Sequence, residues 1–187
     1  VAVSANTVVP ENVTLKFTRG GALKIAAGVT LTINGGIEAG LSQIFTGKGN
    51  VAGAPQVEAV YPEWFYRGDY GSQSADWSPA INAAIDLANS GCLKVRLQAR
   101  RYNVLSTINL AHAAVNKADM TLEGAVRSTQ HERGTLLVGN TGEGHCVIET
   151  TDTDGIHLQN IGVVRGSVNP SSIGILQARG TTTTWAG

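Results

Sequence analysis

The chain has 187 residues, enough for one domain or for two small ones with a genuine core. Hydrophobic residues make up 42%, which excludes a disordered chain, and 14 acids balance 14 bases, which argues against nucleic acid or an anionic membrane as the main partner. Charged residues are only 15% and glycines number 23, a balance that points to closely stacked β-structure turning at glycine.

No apolar stretch approaches the ~20 residues that a membrane-spanning helix requires, so no membrane insertion is expected. No signal-peptide pattern is visible, though a trimmed start would remove it. The chain opens on Val1 rather than Met and stops at Gly187 without a helix cap or polar tail, and it reads as part of something longer. Cys92 and Cys146 stand apart, outside any CxxC or Cys/His spacing, and read as two buried thiols rather than a bridge.

Residues 1–60 read as a small β-rich module. Val13, Leu15 and Phe17 alternate with Thr14 and Lys16, then Gly20-Gly21 turns the chain. Leu23 and Ile25 alternate next, and Val29, Leu31 and Ile33 alternate with Thr30 and Thr32 before Gly35-Gly36 and Ile37-Glu38-Ala39. Period-two alternation gives each piece one buried and one wet face. Strands so short cannot bury a face alone, so they must stack on one another or on neighbouring chains.

Residues 61–78 read as an aromatic linker. Tyr61, Trp64, Phe65, Tyr66, Tyr70 and Trp77 are six of the chain's ten aromatics, while Pro62, Gly68 and Gly71 break any regular structure there. Such a segment must dock on something apolar, a reading preferred to a sugar-stacking platform because a helix begins directly after it.

From residue 79 the reading is a capping helix followed by the first rungs of a β-helix, over 79–187. Ser78 suits an N-cap and Pro79 the first helical position. Ile81, Ala84, Ile85 and Ala88 then form one apolar stripe, and Gly91 is available for a left-handed cap. Strand patterns follow at Leu93–Leu97, Tyr102–Val104, Ile108–Leu110, Met120–Leu122, Leu136–Val138, Cys146–Ile148, Ile156–Leu158, Ile161–Val164 and Ile173–Leu176. No second helix intervenes, which excludes βαβ winding and leaves a sandwich, a barrel or a β-helix. One helix ahead of many short strands favours a helix that plugs the end of a solenoid.

Two stretches carry a resemblance. Asp76-Trp-Ser-Pro-Ala-Ile-Asn-Ala-Ala-Ile-Asp-Leu-Ala88, Gly91, and Lys94-Val-Arg-Leu-Gln-Ala-Arg-Arg-Tyr-Asn-Val104 resemble the opening of pectate-lyase-like β-helix domains, continued by Ser106-Thr-Ile-Asn-Leu110 and Met120-Thr-Leu-Glu-Gly124. Val57-Glu-Ala-Val-Tyr-Pro-Glu-Trp-Phe65 is similar to the linker ahead of this helix in many phage tailspikes, and Val8 to Val51, with Gln43-Ile-Phe-Thr-Gly47, looks like the small β-module often found upstream. The similarity covers roughly residues 8–180. Two departures concern capping and turn geometry: Asp76-Trp77 stands where the family has a double Asp, and Gln98-Ala99-Arg100 where it has Pro-x-Gly.

The resemblance implies an all-β fold, a right-handed parallel β-helix with one N-terminal capping α-helix. It further implies a homotrimer displayed on a virion tail, mounted on other phage tail proteins and directed at bacterial surface polysaccharide. Such proteins often act as polysaccharide lyases or glycoside hydrolases, with catalytic acids on later rungs or between subunits, so here they are expected outside this stretch. A purely structural trimeric tail adaptor, and a secreted extracellular lyase or hydrolase of the same fold, are the alternatives.

Hydrolysis of a glycan needs paired carboxylates, and lyase chemistry needs a base with a charge-neutralising group. The best local cluster is Glu149, Asp152, Asp154 and His157. Thr151-Asp-Thr-Asp-Gly155 resembles a calcium loop but lacks the closing Glu, and reads as a turn. His131-Glu132-Arg133-Gly134 reads as a solvated loop, Arg100-Arg101 as a charged turn, and Gly139–Gly144 lacks the Lys-Ser/Thr of a phosphate loop. No catalytic residue is singled out, and no metal or cofactor is expected.

Overall fold

The computed structural model describes residues 1–66, 75–89, 91–110, 120–125, 134–142, 145–150, 156–166 and 173–176. The chain divides into two compact units, one comprising Val1–Tyr70 with Pro79–Arg96, the other Gly71–Ser78 with Leu97–Gly187.

The first unit is itself a coil of short parallel strands. They are β1 (Ala2–Val3), β2 (Thr7–Val9), β3 (Leu15–Lys16), β4 (Leu23–Ile25), β5 (Thr30–Ile33), β6 (Ile37–Glu38), β7 (Phe45–Gly47) and β8 (Asn50–Ala52). Every third strand pairs, giving sheets β1–β4–β7, β2–β5–β8 and β3–β6, and Gln56 adds a bridge beneath Gly36. Ala2 lies beside Lys24 and Lys24 beside Thr46, so one circuit takes 22 residues there. Because the alternation puts the same apolar positions inward on each circuit, Ile25, Leu31, Ile33, Ile37, Ile44 and Phe45 form the core. Outward, Lys16 meets Glu38 at 2.9 Å.

One local expectation is corrected here. Val13 is not a strand residue: its N–H closes a turn on the Pro10 carbonyl at 3.0 Å and its side chain is 40% exposed. Gly47 is required by geometry, because it holds φ +96 and a Cβ would run into the Ile25 carbonyl one circuit below.

The aromatic segment makes a 3₁₀ turn, Pro62–Trp64, led by a proline whose missing N–H costs nothing at a helix start. Trp64 donates its indole N–H to the Gly40 carbonyl at 3.1 Å, and Phe65 packs on Phe45 with centroids 5.2 Å apart. Helix α1 (Ser78–Asn89) buries Ala80 and Leu87 besides the expected Ile81, Ala84, Ile85 and Ala88, so its apolar face is wider than the stripe. The left-handed residue after it is Leu93 (φ 54), not Gly91. Glycine is needed at 91 for another reason: a Cβ there would press on the Ala54–Pro55 backbone at 2.9–3.0 Å.

The second unit repeats the plan with longer circuits. The strands are β9 (Lys94–Leu97), whose last residue belongs here, β10 (Arg101–Val104), β11 (Ile108–Asn109), β12 (Thr121–Gly124), β13 (Thr135–Gly139), β14 (Cys146–Glu149), β15 (His157–Gln159), β16 (Ile161–Arg165) and β17 (Ile173–Leu176). Sheets β10–β13–β16 and β11–β14–β17 each take one strand per circuit, and β12 pairs with β15. Tyr102, Leu137 and Val163 stack in one column, and Ile108, Ile148 and Ile175 in another. Arg101 pairs with Leu136 and Leu136 with Gly162, so circuits here take 35 and then 26 residues. Asparagine 140 reaches between rungs, its side-chain amide donating to the Asn103 side-chain carbonyl.

All ladders among the described residues are parallel, and one strand of each sheet is laid down per turn of the chain. A sandwich or meander would pair neighbours antiparallel. The fold is a parallel β-helix of pectate-lyase-like topology with a capping helix, the one α-helix among the described residues.

Candidate functional surface

The cluster that looks most chemical in sequence is not gathered in space. Glu149 ends β14, half-buried in register between Asn109 and Leu176, whereas His157 is exposed on β15, in a different sheet. Asp152 and Asp154 lie outside the described residues, as do His131, Glu132, Arg133 and Tyr70. Gly139 sits inside β13 between Val104 and Arg165, a ladder position rather than a phosphate loop. Among the described residues no group of three His, Cys, Asp or Glu side chains could hold a metal ion. Among the described residues no helix is long and apolar enough to cross a membrane.

Of the aromatic segment, Trp64, Tyr66 and Trp77 are 2%, 3% and 1% exposed, which leaves them no face to offer a sugar. Arg100 is more than a charged turn: its guanidinium lies 4.5 Å from the Trp77 ring centre and 5.6 Å from that of Tyr102, covering the pair. The thiols are unbridged. Burial pushes both the Cys92 and Cys146 thiols above their ordinary range, against weaker opposing hydrogen bonds.

Asp76, at the helix entry where the resemblance puts an acidic residue, forms one network with Ser78. Asp76 Oδ1 accepts the Ser78 N–H at 2.9 Å and the Ser78 hydroxyl at 2.6 Å, so the aspartate, not the serine, caps the first helical amide. The Ser78 hydroxyl instead accepts the N–H groups of Leu105 and Ser106, each at 3.1 Å, because those amides sit at a corner with no strand partner. This cluster builds the coil.

One sheet face stands out chemically. On β12, Leu122 and Gly124 point inward and are buried, so Thr121 and Glu123 point outward. On β15, His157 and Gln159 flank Leu158 in the same way. Parallel pairing sets Thr121 beside His157 and Glu123 beside Gln159. All four outward groups hydrogen-bond: a hydroxyl, a carboxylate, an imidazole and a carboxamide. On the neighbouring sheet the equivalent positions include Leu136 and Val138, 4% and 8% exposed, which cannot serve a polar ligand. The third sheet mixes Asn109 and Glu149 with Leu176. Sequence alternation marks Thr121, Glu123, His157 and Gln159 as outward, but not as neighbours, because the register spans 36 residues there.

Comparison with known proteins returned no matching family model, curated protein or solved structure. The class rests on the fold: a β-helix scaffold of the type often associated with carbohydrate-binding and depolymerising proteins. One of its faces carries four outward hydrogen-bonding side chains.

Proposed function

We propose that this chain is the proximal part of a phage tailspike that recognises bacterial surface polysaccharide, assembled as a homotrimer on other tail proteins. The observation that supports it is the outward face of β12 and β15, where Thr121, Glu123, His157 and Gln159 stand in register on stacked coils. Glycans are held by such arrays of side-chain donors and acceptors on a rigid frame. The resemblance of the helix-and-strand opening to tailspike sequences supplies the biological setting, and low overall charge suits extensive contacts between subunits. The described residues carry no catalytic assignment; cleavage, in this reading, belongs to other parts of the full protein.

The test is to incubate the chain, and a full-length protein, with capsular and O-antigen polysaccharides, measuring binding and new reducing ends. Binding by both with cleavage by the full-length protein alone supports the division of labour; no binding by either removes the reading.

A second reading, a trimeric adaptor with no glycan role, is favoured by the first circuit, where Val1, Val8 and Val13 are 90%, 63% and 40% exposed. Sedimentation at micromolar concentration addresses it: a stable trimer that binds no glycan favours the adaptor, and a monomer counts against both.

A further inference from the structure

We draw no further inference here: the strongest candidate, the first circuit of the first unit, where Val1 and Val8 are exposed and β1, β2 and β3 each pair on one side only among the described residues, carries none because nothing in the structure shows what covers it.

Discussion

Replacing Asp76 by alanine probes the network that ties Ser78 to the Leu105–Ser106 corner of the coil. Its Oδ1 accepts three donors: the Ser78 N–H at 2.9 Å, the Ser78 hydroxyl at 2.6 Å and the Leu105 N–H at 3.2 Å. Leu105 keeps a second acceptor in the Ser78 hydroxyl, so its loss is partial. Ser78 is fully buried and would lose its cap. Hydrogen bonds to charged groups contribute ~1.5–3 kcal/mol each, and a buried donor left unmade costs ~1–3 kcal/mol. Asp76 is half-exposed, so water replaces part of what is lost. The expected destabilisation is about 2–4 kcal/mol for Asp76→Ala and about half that for Asp76→Asn, which keeps a neutral acceptor. Urea denaturation reads this as a lower midpoint at unchanged slope. Because both residues belong to one network, Asp76→Ala and Ser78→Ala should couple by ~0.5–3 kcal/mol in a double-mutant cycle. An Asp76→Ala midpoint within ~0.5 kcal/mol of the parent, or strict additivity of the pair, would refute the reasoning.

Three further outcomes follow. Gly47→Ala, which forces a Cβ into φ +96 and against the Ile25 carbonyl, should cost about 1–3 kcal/mol; a neutral melting temperature would contradict it. Burial raises both thiols, so Cys92 and Cys146 should react with a disulfide reagent at pH 8 far more slowly than in urea; the stability they add is complete below the ordinary thiol pKa and fades as pH climbs through the raised one. The hydrogen bond from Arg96, 2.7 Å from Glu58, holds that carboxyl below its ordinary value, so its contribution is present above the ordinary pKa and lost as pH falls through the lowered one. A carboxyl-selective NMR titration should show Glu58 returning to its ordinary value in Arg96→Ala; an unchanged midpoint would break the assignment.

The parts of the fold that period and composition could report were legible. Thr30-Leu-Thr-Ile33, Lys94-Val-Arg-Leu97 and Thr121-Leu-Glu-Gly124 alternate cleanly, and each has its inward residues buried in the structure. The helix was legible because Ile81, Ala84, Ile85 and Ala88 fall on one side of a 3.6-residue turn. A two-residue strand such as Ala2–Val3 leaves no period to read, which hides how completely the first module coils. Residue type alone points to Ser78 and Gly91 as caps, but Asp76 accepts the Ser78 N–H and Leu93 holds the left-handed conformation. Local preference could not see the corner amides of Leu105 and Ser106 that claim the serine hydroxyl. The polar face was half legible. Alternation gave the direction of its four side chains, but pairing His157 with Thr121 depends on circuit length, and that length changes from coil to coil with the turns.

The coiling itself is tested most directly by nuclear Overhauser contacts between backbone protons of Arg101–Val104, Leu136–Gly139 and Gly162–Arg165. Parallel stacking predicts contacts that advance together along all three strands, from Arg101 with Leu136 and Gly162 to Val104 with Gly139 and Arg165. Close Hα–Hα pairs running in opposite directions along any two of them, as antiparallel strands give, would contradict it.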